Sequence, residues 1–431
     1  MTGTVPMGLA NTVPVPNQVD IIVVGAGVVG VACALKLARQ GLKVEVVDMQ
    51  APGRGASYGN AGHLATEQVF PIADASILKR LPGMLLDPMG PLRLDWRYLP
   101  QATPWLVRLL LNLRPGPFNR TVAGLRALNE SSLAAWKRLL GSIDQPALLR
   151  HEGSLLVYEQ PQARAGMDSL SARMHAQNVP VDEWSAKAVQ AAAPQLSERI
   201  AGGLFFPATA HVVDPFAVVQ AMVRAAQAAG VRFRQQQVTG GIVSGHGVVL
   251  HTGEGALSAR RVLIACGAHS AALTQALTGK RVPLDTERGY HLMLPAERDR
   301  LPFAVTSLER KFIMTPMAEG LRLAGTVEFA GLHRPPNMGR AWQLQRLSQG
   351  LFRESLNTEG ATPWMGFRPS LPDSLPVIDR VASGKVLLAF GHQHLGLTQA
   401  AITAEMIGAL AGPGEAPHAL PDSTPYRLAR F

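Results

Sequence analysis

Residues 21–30 read Ile21-Ile22-Val23-Val24-Gly25-Ala26-Gly27-Val28-Val29-Gly30, an apolar run that enters a G-x-G-x-x-G turn. The run predicts a buried parallel strand, and the glycines let a dinucleotide pyrophosphate approach the N-terminus of the next helix. We expect that helix to end at Gly41, before a second strand at 43–47. The second strand brings Asp48, with Met49 beside it, to where a carboxylate accepts hydrogen bonds from a ribose diol. A glycine turn without a ligand is the alternative, and the motif does not separate FAD from NAD.

Composition narrows the class of protein. A chain of 431 residues predicts two or three domains. Its two cysteines, Cys33 and Cys266, cannot form a disulfide framework and have no metal-ligand spacing, which favours a reducing compartment and no metal. Residues 1–18 lack the basic start of a secretory signal and are expected to be a flexible leader. We therefore expect a cytoplasmic protein.

The chain carries a formal net charge of +10. No zinc finger, aromatic ribonucleoprotein strand or dense Lys/Arg run accompanies this charge, so nucleic acid is not the expected partner. The charge fits an anionic cofactor, an acid substrate or membrane lipid better. Peripheral contact with the inner face of the cytoplasmic membrane is one interpretation.

Residues 81–114 combine apolar side chains, prolines and arginines. Thr103 and Pro104 are predicted to begin a helix as its cap and first-turn proline. That helix suits either burial in a second domain or docking on a membrane surface. Burial is favoured because buried helices are the commoner kind.

Nucleotide-type segments recur at the start, middle and end of the chain. The strand at 261–265 runs into Gly267, and a later strand at 385–390 runs into Gly391. Both resemble the first turn in joining an apolar strand to a glycine corner. We therefore predict an α/β fold in which a discontinuous, Rossmann-like domain is interleaved with a mixed-sheet domain. The predicted first domain comprises 19–72, 214–280 and 362–431, and the second comprises 73–213 and 281–361.

Three motifs carry a resemblance to a known family. They are Trp364-Met365-Gly366-Phe367-Arg368-Pro369-Ser370-Leu371-Pro372-Asp373, Gly391-His392-Gln393-His394-Leu395-Gly396-Leu397-Thr398 and Ser57-Tyr58-Gly59-Asn60-Ala61-Gly62-His63. The chain resembles the D-amino-acid oxidase superfamily from residue 20 to residue 410. It is most similar there to bacterial FAD-dependent D-amino-acid dehydrogenases, including the branch that acts on D-hydroxyproline. It departs from many relatives at Asp48, where they carry Glu.

The resemblance implies a site for FAD and for an amino acid. It implies that Arg368 clamps the substrate carboxylate, for which a guanidinium has a matching two-pronged geometry; a surface ion pair is the alternative. The segment from Gly391 to Thr398 is implied to face the flavin pyrimidine. The remaining flavin contacts that we expect, from the resemblance or from the strand corners, are Ser57, Asn60, Ala61, Gly62, His63, Val238, Ala265, Gly267, His392, His394, Leu395, Gly396 and Leu397.

Three further side chains are candidates beside Arg368. His63 is expected to line the substrate pocket, and a covalent link to the flavin is a second, disfavoured interpretation. Tyr290 and its neighbour His291 lie on a predicted strand, so one of them should face the substrate. His394 is a further candidate for the substrate face, with a core-capping role as the alternative. Glu328 is expected to be structural.

The implied reaction is oxidation of a D-amino acid. The substrate Cα–H would pass a hydride to flavin N5, and a quinone or another non-oxygen acceptor would take the electrons. No side-chain pattern identifies a catalytic base. The alternatives are an oxidase of the glycine or sarcosine type that forms hydrogen peroxide, an NAD-dependent dehydrogenase, and a flavin-binding subunit that transfers electrons within a larger complex.

Overall fold

The computed structural model of the protein describes residues 19–71, 73, 92–412 and 418–431. The predicted leader and residues 81–91 of the basic apolar segment lie outside them. The strands are β1 (Val19–Val24), β2 (Val44–Asp48), β3 (His63–Leu64), β4 (Leu92–Leu94), β5 (Leu149–Arg150), β6 (Ser154–Tyr158), β7 (Asp182–Ser185), β8 (Gly202–Phe206), β9 (Ala210–Val212), β10 (Arg232–Gln235), β11 (Val238–Ser244), β12 (Gly247–Thr252), β13 (Gly255–Ile264), β14 (Asp285–Leu294), β15 (Ala304–Ser307), β16 (Phe312–Met317), β17 (Gly320–Phe329), β18 (Thr362–Ser370), β19 (Val377–Val381) and β20 (Val386–Phe390). The α-helices are α1 (Val28–Arg39), α2 (Leu99–Asn112), α3 (Pro115–Gly141), α4 (Arg164–Ala176), α5 (Ala186–Ala192), α6 (Pro215–Ala228), α7 (Ser270–Thr278), α8 (Gly339–Ser348) and α9 (Gly396–Ala411).

The first sheet is built around the predicted N-terminal strand. Its order is β10-β2-β1-β13-β12-β11, and β20 pairs with β13 and β19. The strands β10, β2, β1, β13 and β20 run parallel to one another, which places their carboxyl ends at one edge. Strand β1 is an apolar run because both faces of a parallel sheet are covered. Its side chains share a core with helices α1, α6 and α9.

The second sheet has the order β18-β14-β17-β16-β15-β6-β8-β7, with β4 paired to β17. Most of its neighbours are antiparallel, but β15 runs parallel to β6, so the sheet is mixed. A small sheet of β3, β9 and β5 joins the chain near residue 63 to the strand at residue 211. The α/β fold with an interleaved mixed sheet is thus confirmed.

Strand β18 and helix α3 pack in a different domain from the one to which the predicted boundaries assign them. Strand β18, which begins at residue 362, pairs with β14 in the second sheet and not with the nucleotide-type strands. The boundary therefore follows β18, since a strand belongs where its hydrogen-bonding partner lies. Helix α3 comes from the segment assigned to the second domain, yet its Leu128 and Trp136 are fully buried in the first sheet's core beside α9.

Helix α2 differs from its prediction in start and in burial. It begins at Leu99, and Pro104 lies inside it, while the Thr103 hydroxyl donates a hydrogen bond to the Leu99 carbonyl at 2.7 Å. Its buried residues are Ala102 and Trp105. Three of its apolar residues are exposed to solvent, with relative accessible surface of 50% for Val107, 46% for Leu110 and 49% for Leu111. The favoured expectation of burial in a second domain is wrong for most of the helix surface, since Ala102 and Trp105 are its buried residues.

Helix α6 has a capped start. The Asp214 carboxylate accepts a hydrogen bond from the Phe216 amide at 2.8 Å, and Pro215 occupies the first helical position. Across the described parts of the chain, no helix combines the length and the apolar character that a membrane crossing requires. Nor do His, Cys, Asp and Glu side chains form a metal-binding group in those parts.

Candidate active site

The turn after β1 needs glycine at two positions. Gly25 has φ +113°, and a Cβ at this residue would collide with the Ala265 carbonyl oxygen at the end of β13. A Cβ on Gly30 would collide with the Gly25 carbonyl oxygen. Strand β1, strand β13 and the first turn of α1 therefore approach one another as closely as backbone allows. The N-terminus of α1 borders the cavity. Its amide groups and the helix dipole favour the binding of a phosphate there.

Two side chains hold this turn in place. Asp48, at the end of β2, accepts a hydrogen bond from the Ala26 amide at 2.6 Å through Oδ2 and from the Gln50 amide at 2.8 Å through Oδ1. Ser57 Oγ accepts a hydrogen bond from the Val28 amide at 2.9 Å. Asp48, which is predicted to bind a ribose, thus also stabilises the glycine turn through hydrogen bonds.

A cavity of about 700 Å³ begins at this turn and extends to strand β18 and the start of α9. The predicted site residues that line it are Gly25, Ala26, Gly27, Val28, Val29, Asp48, Met49, Ser57, Asn60, Ala61, Val238, Ala265, Gly267, Tyr290, Arg368, Gly391, His392, His394, Gly396 and Leu397. Predicted residues outside the lining are Gly30, Gly62, His63, Leu395 and Thr398. Thr398 instead accepts a hydrogen bond from the Ala65 amide at 3.0 Å, so it holds the neighbouring chain.

The lining fits FAD. Gly25 and Gly30 form a cradle that any side chain would fill, Asp48 lies at the carboxyl edge of β2, and Gly391 opens the far end with φ +84°. A Cβ on Gly391 would collide with Leu371 Cδ1, so this second corner also requires glycine. When bound, FAD supplies a hydride acceptor, which none of the amino-acid side chains provides.

Strands β14 and β18 border the cavity. Directly opposite residues in this antiparallel pair are Glu287 with Arg368, Gly289 with Gly366, and His291 with Trp364. The Arg368 guanidinium lies over Gly289, where an added Cβ would be 2.5 Å from Cζ and 2.6 Å from Nε. A glycine at position 289 therefore provides the space in which this guanidinium lies.

The Arg368 guanidinium is unpaired within the part of the chain that the structure describes. Among the described residues, none forms a hydrogen bond or ion pair with its guanidinium. Burial lowers the pKa of Arg368, and the nearby Glu287 carboxylate opposes that shift. Glu287 itself accepts a hydrogen bond from the Ser370 hydroxyl and lies too far away to form an ion pair with Arg368. A half-buried guanidinium that faces a cavity is suited to an anionic ligand.

Tyr290 occupies the opposite face from Arg368. It borders the cavity, but its hydroxyl donates to Glu328 Oε2 at 2.6 Å and accepts from the Asn337 amide at 3.1 Å. Burial and this carboxylate raise the pKa of Tyr290 to about 12. Tyr290 lies opposite Met365 in the β14–β18 pair, so its side chain is on the other sheet face from Arg368. Of the two candidates on β14, His291 shares the strand face of Arg368, whereas Tyr290 is the one that lines the cavity.

Trp364 is a cavity residue for which sequence reasoning predicted no role. Its ring stacks on His291 with centroids 5.1 Å apart at 18°, and the His291 Nδ1–H donates to the Gly59 carbonyl at 2.9 Å. Gly59 and Gly366 each leave room for the indole, which an added Cβ would strike. Its position four residues before Arg368 is the signal that was available, since alternate strand residues share a face.

Two predicted histidines are engaged in the protein interior. His63 Nε2 lies 3.0 Å from Glu67 Oε1, and across the small sheet His63 faces His211. His392 Nε2 lies 3.0 Å from the Thr403 hydroxyl, and burial lowers the pKa of His392 to about 3. The structure therefore brings His394, and not His63, to the cavity beside Arg368.

Similar proteins agree with this architecture. The family model described as DAO, FAD dependent oxidoreductase, matches residues 20–410. A D-amino-acid oxidase of Bradyrhizobium diazoefficiens is 34% identical over 92% of this chain and 95% of its own length. A D-amino acid dehydrogenase of Cereibacter sphaeroides is 31% identical over 92% of each chain.

Solved structures show the same fold. The glycine oxidase of Geobacillus kaustophilus superposes with a TM-score of 0.74 at 20% identity, covering 96% of this chain and all of that one. This similarity concerns the fold alone. The match of the family model to residues 20–410 shows that the chain belongs to the DAO family of FAD-dependent oxidoreductases.

Proposed function

We propose that this enzyme oxidises D-amino acids, with Arg368 binding the substrate carboxylate. The observation that carries the proposal is the unpaired guanidinium of Arg368 beside Gly289, facing the cavity on the same strand face as Trp364. A carboxylate would supply the missing charge and two hydrogen-bond acceptors. The names of the two sequence relatives, an oxidase and a dehydrogenase of D-amino acids, support this substrate class.

Arg368 and Trp364 then orient the substrate so that its Cα–H has a fixed direction. Arg368 fixes the carboxylate end, while the Trp364 ring forms a wall on the same face. Positioning of this kind accounts for a large part of the rate when a cofactor performs the chemistry. D-Proline and D-hydroxyproline are the substrates that we place first, on the resemblance of the C-terminal motifs.

Two fates of the electrons are distinguished by experiment. We propose a dehydrogenase that passes the electrons to a quinone. Several sequence relatives that are 30–31% identical to this chain carry the name D-amino acid dehydrogenase. The competing proposal is an oxidase that forms hydrogen peroxide, and the relative at 34% identity carries that name. Oxygen consumption in an oxygen electrode with a D-amino acid alone would favour the oxidase, and turnover that requires an added quinone analogue would favour the dehydrogenase.

We also propose that α2 touches a membrane that holds the quinone. Val107, Leu110 and Leu111 are exposed, and the exposed Arg108 and Arg114 accompany them. Apolar side chains with neighbouring arginines bind anionic lipid surfaces. Wild-type enzyme should co-sediment with phosphatidylglycerol vesicles at low salt, and the Leu110→Asp variant should remain in the supernatant. Wild-type enzyme that stays in the supernatant would contradict this contact.

A dye-linked assay of Arg368→Ala tests the proposed function. We expect purified wild-type enzyme to reduce an artificial acceptor with D-amino acids, a result that also separates an enzyme from an electron-transfer subunit. Loss of the guanidinium should lower kcat/KM by at least about a hundredfold, since a charge-assisted pair contributes several kcal/mol. The exposed Arg298→Ala is the matched control and should behave as wild type. Unchanged kinetics in Arg368→Ala would refute the assignment.

A further inference from the structure

His394 faces the cavity from the short turn before α9, and its ring is held from behind. The ring nitrogen Nε2 contacts the side-chain oxygen Oε1 of Gln68. An amide oxygen only accepts hydrogen bonds, so Nε2 must carry the hydrogen. The other nitrogen, Nδ1, is then the unprotonated one and accepts hydrogen bonds.

Gln68 is itself held by buried amide groups from two helices. Asn129 of α3 donates through Nδ2 to the Gln68 carbonyl oxygen at 3.0 Å. Gln399 of α9 donates through Nε2 to Asn129 Oδ1 at 2.9 Å. Both Asn129 and Gln399 are fully buried. The Gln68 oxygen that accepts from Asn129 is the main-chain carbonyl, so the helix packing fixes the backbone from which the Gln68 side chain reaches His394.

The charges around His394 keep its ring neutral. Burial, together with the nearby Arg368 of β18 and His63 of β3, lowers the pKa of His394 to about 3. The carboxylate of Glu67, the chain neighbour of Gln68, contacts His63 Nε2 at 3.0 Å. A neutral ring beside an arginine does not repel the amino group of a zwitterionic ligand.

We propose that Gln68 is a positioning residue that sets the tautomer of His394, so that Nδ1 accepts a hydrogen bond from the substrate amino group while Arg368 binds the carboxylate. This inference rests on the proposed function. It assigns the two charged ends of an amino acid to two neighbouring side chains. It also explains why a glutamine, which Asn129 holds in place, contacts a histidine of the cavity.

The experiment compares two ligands that differ in the amino group. 2-Aminoisobutyrate has both a carboxylate and an amino group but no Cα–H, so it cannot be oxidised. 2-Methylpropanoate has the carboxylate alone. Each is titrated into holoenzyme, and the change in flavin absorbance gives the Kd. Gln68→Leu should release both the tautomer and the orientation of the His394 ring, so that the bond from Nδ1 to the amino group is lost; 2-aminoisobutyrate should bind about five- to tenfold more weakly, and 2-methylpropanoate within about twofold of wild type.

Two further variants complete the test. Gln68→Glu keeps an oxygen acceptor, so it should retain the His394 tautomer; its added charge should raise the pKa of His394 and move the acid limb of 2-aminoisobutyrate binding to higher pH. The exposed Gln162→Leu is the matched control and should bind both ligands as wild type. Equal weakening of both ligands by Gln68→Leu, or no weakening of either, would overturn the proposal.

A measurement without any ligand separates this inference from the proposed function. In ¹⁵N-labelled holoenzyme, the His394 resonances should report a hydrogen on Nε2 in wild type and a mixture of tautomers in Gln68→Leu. A hydrogen on Nδ1 in wild type would overturn the Gln68 contact alone. Failure of wild-type enzyme to bind either ligand would overturn the proposed function and, with it, the role of Nδ1.

Discussion

Replacement of Gly289 by alanine should displace the carboxylate-binding arginine without unfolding the protein. The added Cβ would lie 2.5 Å from Arg368 Cζ, so the guanidinium has to move by about 0.9 Å to reach the 3.4 Å at which ordinary contact begins. The backbone of Gly289 is not in the left-handed region, so alanine is not strained there. The cavity gives the arginine side chain room to move.

The size of the effect follows from that displacement. A two-pronged pair requires both nitrogens to lie within hydrogen-bond distance of the carboxylate, and a shift of this size breaks one of the two bonds. The loss is about 1.5–3 kcal/mol for a charge-assisted bond, which corresponds to a roughly 10- to 150-fold weaker affinity for the carboxylate.

The assay measures the Kd of 2-methylpropanoate from the perturbation of flavin absorbance, together with the KM of a D-amino acid in the dye-linked reaction. Gly240→Ala is the matched control, because Gly240 also lies in a strand and a Cβ there meets nothing within 4 Å. Thermal unfolding should change little in either variant. A Gly289→Ala enzyme with wild-type affinity for the carboxylate would refute the placement of Arg368 over Gly289 as the substrate clamp.

Three other predictions concern the cofactor and the core. Asp48→Ala removes the acceptor of the Ala26 amide and should weaken FAD binding about 10- to 100-fold in a fluorescence titration of apoprotein; an unchanged Kd would contradict the role of this acid. Trp136→Ala empties a fully buried site and should lower the free energy of unfolding in urea by about 3–5 kcal/mol, whereas a loss below about 1 kcal/mol would argue against the packing of α3 on α9. The pKa of His392 falls from its ordinary value of 6.5 to about 3 on folding, so the unfolded chain binds more protons and stability falls as pH drops below 6.5. His392→Gln should reduce that slope by about 1.4 kcal/mol per pH unit in urea melts between pH 6 and pH 4, and an unaltered slope would refute the contribution.

Local sequence was sufficient to predict the nucleotide-type unit. The run from Ile21 to Gly30, the helix after it and Asp48 lie within one βαβ segment, so their geometry is set by near neighbours. Asp214 and Pro215 set the start of α6 through equally local contacts. Arg368 was found through its motif, and its place in a cavity agrees with the implied role.

Contacts between distant segments were beyond this kind of reasoning. Strand β18 pairs with β14, which lies far away in the chain, so its place in the second sheet depends on a partner that periodicity does not reveal. The same limit applies to Gly289 under Arg368 and to Gln68 behind His394, a pair separated by 326 positions. The face occupied by Tyr290 depended on register, which a single strand pattern leaves open.

The most direct test of D-amino-acid oxidation at the Arg368 site is anaerobic reduction of the bound flavin. Purified wild-type enzyme is mixed with D-proline, D-hydroxyproline, D-alanine or the corresponding L-enantiomers, and bleaching of the flavin absorbance is followed without any added acceptor. We predict rapid bleaching by D-enantiomers, little by L-enantiomers, and none by D-enantiomers in Arg368→Ala. Bleaching by L-enantiomers alone, or equal bleaching in wild type and Arg368→Ala, would contradict the account.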